Sequence, residues 1–167
     1  MNRPLPAHPQ PPADPWAELR RHTPARIALG RSGAALPTHE LLRFAAAHAQ
    51  ARDAVHVALD VLALQADLAS AGWASTVVHS RATSRTVYLR RPDFGRRLAP
   101  DSADVLQAGA AGPVDLAVVL GDGLSAVALQ RHALPVLQAL RTALDGRLTL
   151  AAPVIATQAR VALGDEV

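Results

Sequence analysis

The stretch Leu116-Ala117-Val118-Val119-Leu120-Gly121-Asp122-Gly123 decides the expected fold of this chain. Its apolar run is too short for a helix, the glycines end it, and helical composition resumes at Ser125. An apolar run without polar alternation is typical of a strand that is covered on both faces of a parallel sheet. Ligands of such sheets bind outside the carboxyl ends of the strands, so we expect any site near residues 121–125.

After the glycine turn, the pattern predicts a helix from about residue 125 to residue 144, which Pro135 should kink. The apolar face of this helix is expected to comprise Leu129, Ala133, Val136, Leu137 and Leu140. Extended segments at residues 147–150 and 152–157 follow, and this order predicts a right-handed βαβ crossover. Residues 160–167 resemble an extended piece and an acidic helix start. Because a sheet ending here would keep an open edge, we expect either a fragment or a partner over that edge.

The sequence pattern predicts a small helical domain at residues 14–72. A proline-rich, extended arm is expected before it, at residues 1–13. Helix starts are expected at Asp14 with Pro15, at Thr38 and at Asp60. The second helix should end near residue 53, and one of its stripes comprises Leu41, Leu42, Ala45, His48, Ala49 and Arg52.

The third helix of this part should end at Gly72, after which Trp73 is expected to pack back over the helix end. Its apolar stripe is expected to comprise Val61, Leu64 and Leu68, broadened by Leu62.

The period changes at residue 74, where a mixed α/β part begins. Residues rich in β-branched side chains at 75–80 and 86–89 predict two short strands or a hairpin. Residues 90–97 read Arg-Arg-Pro-Asp-Phe-Gly-Arg-Arg and fit a Pro-Asp-x-Gly turn with solvated arginines. Alternatively, the two arginine pairs form a surface for a carboxylate or a phosphate. A short helix is expected from Asp101 to about Ala108.

Composition excludes several classes of protein. Half of the 167 residues are hydrophobic, enough for one core and a small second one. The 17 basic residues nearly balance the 14 acidic ones and only 3% are aromatic, so nucleic acid is a weak candidate partner. The absence of cysteine excludes disulfides, thiolate catalysis and cysteine-based zinc sites. Without a recognisable export signal or apolar span, we expect a soluble, unexported protein with no membrane partner.

Residues 121–126, Gly-Asp-Gly-Leu-Ser-Ala, match the loose dinucleotide-binding fingerprint in the expected strand-turn-helix context. This fingerprint requires an acidic residue about twenty positions later, at the end of the next strand. Asp145 lies in the turn before that strand, and no acidic residue follows it through Thr157. Ser125 does not lie in a Gly-x-Ser-x-Gly nucleophile elbow. We favour the alternative that the glycines permit a tight turn and that Asp122 or Ser125 caps the following helix.

No catalytic or metal-binding constellation is recognisable in the sequence. The seven histidines are scattered, and no pair has the helical spacing with an intervening glutamate that zinc proteases use. Carboxylates in an acid/base arrangement are not recognisable either. We therefore expect neither catalytic residues nor metal ligands, and a binding subunit rather than an enzyme by itself.

Six blocks of the sequence occur in a recognisable order: residues 14–16, 26–31, 54–56, 88–98, 122–125 and 158–166. Because of these blocks, the chain resembles the small (light) subunit of the ethanolamine ammonia-lyase family from Asp14 nearly to its last residue. The resemblance implies an adenosylcobalamin-dependent lyase that converts ethanolamine to acetaldehyde and ammonia by radical chemistry. In that family a TIM-barrel large subunit carries the catalytic residues. The small subunit combines a helical N-terminal part with a Rossmann-like part and helps to hold the corrinoid.

For this chain, the resemblance implies a hetero-oligomer with the large subunit, adenosylcobalamin shared with that subunit, and an incomplete Rossmann-like parallel-sheet domain at residues 73–167. One cobalamin contact of the family, a valine after Gly-Arg, matches Val161, with Ala159 in place of the glycine. The family's other contacts, a glutamate in a Gly-Glu-Arg-Pro-Gly loop and a distal cysteine, are absent, so we expect a truncated small subunit.

The location implied by the resemblance is the cytoplasm, either free or within an ethanolamine-utilisation bacterial microcompartment. The alternative from the residues alone stays a nucleotide- or dinucleotide-binding oxidoreductase domain based on residues 121–126.

Overall fold

The computed structural model of this chain describes residues 14, 16–109, 112–123, 125–144 and 146–167. The proline-rich arm predicted for residues 1–13 lies outside the described residues. Internal contacts group the chain into two compact units, which divide between His48 and Ala49 within one continuous helix. This grouping does not test the predicted domain boundary after residue 72, which stays a prediction.

In the N-terminal unit, a first short helix, α1 (Ala17–Arg20), begins later than the sequence predicts. The carboxylate of Asp14 accepts the backbone N–H of Trp16 at 3.0 Å and pairs with Arg20 at 2.6 Å. Trp16, not Asp14, occupies the N-cap position. Asp14 therefore organises the turn before the helix and reaches α1 through Arg20.

The second helix, α2 (Thr38–His56), is longer than predicted and leaves its apolar stripe uncovered. The side chains of Leu41, Leu42 and Phe44 are all largely exposed. Glu40 is the buried residue of this helix. The spacing of the apolar residues therefore predicted the helix correctly but did not predict the burial of its side chains.

Helix α3 (Val61–Ser70) confirms the predicted start and end signals. Asp60 accepts the backbone N–H of Ala63 at 3.0 Å, and Gly72 adopts a φ of 77° just past the helix end. The backbone N–H of Trp73 then donates to the carbonyl of Leu68 at 2.9 Å. Leu62 is 79% exposed, so the prediction that it broadens the buried stripe is wrong.

Three parallel strands form the sheet, which confirms the α/β class and the parallel arrangement. They are β1 (Thr76–His79), β2 (Val119–Gly121) and β3 (Val154–Thr157), in the order β1-β3-β2. The central strand β3 pairs Val154 with both Thr76 and Val119. Helix α6 (Ala126–Leu144) connects β2 to β3 and runs through Pro135, so the predicted strand-helix-strand unit is present.

The two faces of the sheet pack into two separate cores. On one face, Ile155 of β3 and Leu120 of β2 join a cluster completed by Leu64, Leu68, Trp73, Ala133 and Leu137. On the other face, Val154 and Ala156 of β3 join Val78, Leu98, Ala159 and Leu163. Coverage of both faces explains why the segments that contain β2 and β3 read as apolar runs. Val136 of α6 is exposed, so its predicted place on the buried face is wrong.

The predicted strand at residues 86–89 is wrong, because this segment is a helix, α4 (Arg85–Arg90). The hydroxyl of Ser84 accepts the backbone N–H of Val87 at 3.3 Å, and the Ser84 carbonyl accepts that of Tyr88 at 2.9 Å. Capping and the burial of Tyr88 outweigh the β propensity of the segment. Strand β1 finds its partner in β3 instead, so no hairpin forms.

The remaining elements are short. Helix α5 (Pro100–Ala108) confirms the prediction for residues 101–108, and a 3-10 helix, Phe94–Arg96, follows the Pro-Asp turn. A second 3-10 helix, Val161–Glu166, occupies the segment read as an acidic helix start. The extended segment at residues 147–150 contributes only an isolated parallel bridge between Leu116 and Leu150. Within the described part of the chain, no helix combines the length and the apolar content needed to cross a bilayer.

Candidate functional site

A cavity of about 300 Å³ opens at the carboxyl edge of the sheet, where the sequence predicts a site. The glycine turn after β2 forms one wall, and the segment after β3 forms the other. Its lining residues are Val119, Gly121, Gly123, Ala159, Arg160, Val161 and Gly164. The predicted site residue Val161 therefore lies beside the predicted glycine turn.

Val161 presents its side chain outward from an anchored turn. It is 98% exposed, whereas Leu163 two residues later is fully buried in the core. At the far end of the same turn, the carboxylate of Glu166 accepts the backbone N–H of Leu98 at 2.6 Å and pairs with Arg97 at 2.7 Å. These contacts hold the turn that follows Val161 and leave the Val161 side chain available to a ligand.

Asp122 of the glycine turn faces inward, so it does not cap the following helix. Its buried carboxylate accepts the backbone N–H of Ala159 at 3.1 Å and thereby joins the two walls of the cavity. The cap is Ser125, whose hydroxyl accepts the backbone N–H of Ala128 at 3.1 Å. The favoured prediction of a tight turn with a capping residue is confirmed for Ser125, and these contacts lend no support to a dinucleotide site.

The alanine at position 159 is accommodated because the opposite wall has no side chain. A Cβ added at Gly121 would lie 3.3 Å from the Cβ of Ala159, so the two walls touch there only because one of them is glycine. The residue with a left-handed backbone is Gln158, at a φ of 52°, and not Ala159. A glycine at position 159 is therefore not required by the backbone.

A close packing of Tyr88, Gly95 and Arg160 supports the second wall from behind. The backbone N–H of Arg160 donates to the carbonyl of Gly95 at 2.8 Å, and its guanidinium lies 4.6 Å from the centroid of the Tyr88 ring. A Cβ at Gly95 would approach both Tyr88 and Arg160 to about 3.0 Å and 3.1 Å. The glycine of the Pro-Asp-x-Gly turn thus permits the close approach of the buried Tyr88 and the partly buried Arg160.

The arginine cluster at residues 90–97 confirms the predicted turn, and two of its members are used internally. Arg91 donates to Asp93 at 3.0 and 2.6 Å and lies 4.0 Å from the centroid of the Phe94 ring. Arg97 pairs with Glu166, as described above. Both guanidiniums stabilise local structure. These contacts favour the predicted turn over the alternative of a surface that binds an external anion.

The ion pair of His79 and Asp101 joins the end of β1 to the start of α5. The His79 ring donates from Nδ1 to the Ser80 carbonyl and from Nε2 to the Asp101 carboxylate, both at 3.0 Å. The pKa of His79 is raised above its ordinary value of 6.5, chiefly by the hydrogen bond to Ser80. Burial opposes this shift, and the hydrogen bond and the charge of Asp101 add to it. The same pair lowers the pKa of Asp101, chiefly through the hydrogen bond from His79.

Replacement of His79 by glutamine is expected to lower stability more at acidic than at alkaline pH. Because the folded-state pKa of His79 is raised, its contribution is complete below the unfolded value near 6.5 and is lost as the pH rises through the folded value. Thermal unfolding of both proteins from about pH 5 to about pH 8 measures the difference, which should shrink with rising pH. A constant difference across this range contradicts the prediction.

A second cavity, of about 780 Å³, lies within the N-terminal unit and includes none of the predicted site residues. It is lined by residues between Asp14 and Glu40. Among the described residues, no group of three or more histidine, aspartate or glutamate side chains could hold a metal ion. The carboxyl edge of the sheet is therefore the better candidate site.

Comparison with known proteins identifies the family. The family model described as ethanolamine ammonia-lyase light chain (EutC) matches residues 13–167. An ethanolamine ammonia-lyase small subunit of Pseudomonas syringae pv. tomato is 53% identical over 160 residues, covering 93% of this chain and 56% of the relative. Small subunits of Pseudomonas fluorescens and Ralstonia nicotianae are 53% and 51% identical, covering 96% and 92% of this chain.

The chain spans 56% to 60% of the length of these curated relatives. The match nevertheless runs over nearly every residue of the chain and includes both walls of the cavity. This chain belongs to the ethanolamine ammonia-lyase light-chain family.

Proposed function

We propose that this chain acts as the small, non-catalytic subunit of an adenosylcobalamin-dependent ethanolamine ammonia-lyase, which converts ethanolamine to acetaldehyde and ammonia. In this role the carboxyl edge of its sheet helps to hold the corrinoid against a large subunit. The observation that carries the proposal is Val161, which is 98% exposed at the mouth of the cavity. An apolar side chain in that position is suited to contact with a bound ligand.

The residues of the cavity fit one edge of a large, flat ring. Gly121, Gly123 and Ala159 offer little side-chain bulk, so a planar ligand could approach the backbone closely. Within the described part of the chain, the buried Nε of Arg160 has no acceptor and could serve a carboxamide or phosphate oxygen. A cavity of about 300 Å³ is at the lower limit for a small-molecule site, which favours a site shared with a second subunit.

Adenosylcobalamin supplies radical chemistry when it is bound, and the large subunit supplies the catalytic residues. The proposed contribution of this chain is therefore shape: a wall built from glycine, alanine and valine, held by internal hydrogen bonds. The isolated chain is expected to be inactive.

The partner surface proposed for the large subunit is the exposed apolar stripe of α2, which here means Leu41 and Leu42 of the predicted stripe together with Phe44. All three side chains are largely exposed, and clustered exposed apolar side chains are typical of a protein interface. The same proposal includes a Rossmann-like character for the parallel sheet and a helical domain at residues 14–72. It also includes a cytoplasmic location, free or within a microcompartment.

Replacement of Val161 by aspartate is expected to weaken corrinoid binding by the assembled complex by about tenfold or more, because a carboxylate would be desolvated against the ring. The measurement is an absorbance titration with hydroxocobalamin after co-expression with a large subunit. Val105→Asp on α5 is the matched control, since that valine is also exposed but lies outside the cavity. Equal affinities of wild type and Val161→Asp would contradict the proposal.

A further inference from the structure

Arg85, the first residue of α4, connects three segments that are distant in the sequence. Its Nε donates to the carbonyl of Val55 at 2.5 Å and its Nη2 to the carbonyl of Gly123 at 2.6 Å. Its Nη1 donates to the side-chain oxygen of Gln158 at 3.3 Å. Gly123 belongs to one wall of the cavity and Gln158 leads into the other, so a single guanidinium reaches both walls.

Two of the residues that Arg85 contacts have a left-handed backbone. Gln158 has a φ of 52°, which side-chain-bearing residues seldom adopt, and Gly123 has a φ of 36°. The hydroxyl of Ser80 donates to the carbonyl of Gln158 at 2.7 Å and supplies a second restraint. A strained backbone persists only where its surroundings determine it, so these bonds are expected to fix the wall geometry.

Arg85 also supplies the charge that faces the buried Asp122. Its Nη1 lies 3.7 Å from the Asp122 carboxylate, and the two side chains are only 15% and 5% exposed. Among the described residues, Arg85 is the cation recorded at ion-pair distance from Asp122. Because Asp122 accepts the backbone N–H of Ala159, the charge of Arg85 supports a bond that directly joins the two walls.

The planar fork of arginine is suited to this task. Three nitrogen atoms donate in different directions, and the guanidinium carbon lies 4.4 Å from the centroid of the Tyr88 ring. A lysine would keep the positive charge near Asp122 but could not reach all three acceptors with one ammonium group. The arrangement therefore depends on the shape of the side chain as well as on its charge.

We propose that Arg85 is a positioning residue, which holds the two walls of the cavity in the shape that receives the corrinoid. The inference rests on the proposed function for the identity of the ligand. Arg85 itself lines no part of the cavity and acts through Gly123 and Gln158.

Arg85→Lys is the variant that tests this role, because it retains the charge. Arg91→Lys is its matched control, since Arg91 also donates from two nitrogen atoms and lies over an aromatic ring, but at the surface. In the complex with a large subunit, we expect Arg85→Lys to weaken hydroxocobalamin binding by about tenfold without loss of assembly, and Arg91→Lys to change neither.

Hydrogen exchange of the chain supplies a readout that needs no cofactor. The backbone N–H groups of Asp122 and Ala159 are both hydrogen bonded, one on each wall, and Arg85→Lys should speed the exchange of both by about tenfold or more. Exchange of the Leu64 amide on α3, far along the sequence and in the core, should not change. Faster exchange of both amides together with weaker binding of hydroxocobalamin supports the inference.

Two results overturn the inference. One is unchanged exchange at Asp122 and Ala159. The other is a result in which Arg85→Lys speeds the exchange of these amides but binds hydroxocobalamin with unchanged affinity, although Val161→Asp binds it more weakly. If Val161→Asp also keeps full affinity, the proposed function fails, and a rise in exchange at both walls then still supports Arg85 as the residue that positions them.

Discussion

Leu68→Ala is expected to lower the free energy of unfolding by about 3 kcal/mol, since it removes a fully buried side chain from the larger core. Leu68 lies on α3 and packs in the cluster that includes Ile155 of the central strand and Leu137 of α6. Loss of its methyl groups leaves a cavity between helix and sheet that the rigid strands cannot fill. Urea unfolding followed by circular dichroism measures the change.

Leu62→Ala provides the matched control for this prediction. It makes the same chemical change six residues earlier in the same helix, but Leu62 is 79% exposed. Its effect on the free energy of unfolding should stay within about 0.5 kcal/mol. Similar losses for the two variants would show that the packing of α3 against the sheet is not as described.

Replacement of both Leu41 and Phe44 by glutamate is expected to weaken the association of this chain with the large subunit at least about a hundredfold. The two side chains are three residues apart on α2, so they lie on neighbouring turns of the exposed apolar stripe. Two carboxylates placed in an apolar interface would lose their hydration without gaining partners. Co-purification and titration of the two subunits measure the association.

Gln50→Glu is the control for the stripe, because Gln50 is exposed on the same helix but lies on the opposite side of the helix axis from Leu41. This control should assemble normally. The double variant should also keep its stability within about 0.5 kcal/mol, since both leucine and phenylalanine are already exposed in the chain alone. Normal assembly of the stable double variant would show that the stripe is not the interface.

Local sequence signals predicted the central part of the fold well. The end of the apolar run 116–120 lies in the short parallel strand β2, the segment that ends at Thr157 contains β3, and the helix between them is α6. Asp60 and Gly72 bound α3 as their chemistry requires. In each case the signal lies within a few residues, so it can be read without knowledge of the tertiary structure.

Predictions failed where long-range packing decides the outcome. The β-branched residues after Arg85 favoured a strand, but Ser84 caps a helix there and Tyr88 is buried beneath it. The helical spacing placed Leu62 and Val136 on buried faces, although the sheet leaves both exposed. Periodicity gives the angular positions of side chains on a helix, whereas their burial depends on which part of that helix meets a neighbour.

The candidate site was only partly accessible from the sequence. The parallel-sheet rule and the family resemblance indicated the glycine turn and Val161, which the structure brings to one cavity. The inward role of Asp122 and the three contacts of Arg85 were missed, because their partners lie thirty or more positions away along the chain. The signal available for Arg85 was its place three residues before the block of residues 88–98, which alone does not distinguish it from the other five arginines between residues 81 and 97.

The order of the strands has a consequence for synthesis on the ribosome. Neither β1 nor β2 pairs with the other, and both pair with β3, which follows the two of them in the sequence. These three strands can therefore pair only after β3 has left the exit tunnel, and the apolar side chains of α3 and α6 that pack on Ile155 lack this partner until then. We expect the nascent chain to expose this apolar surface until late in synthesis.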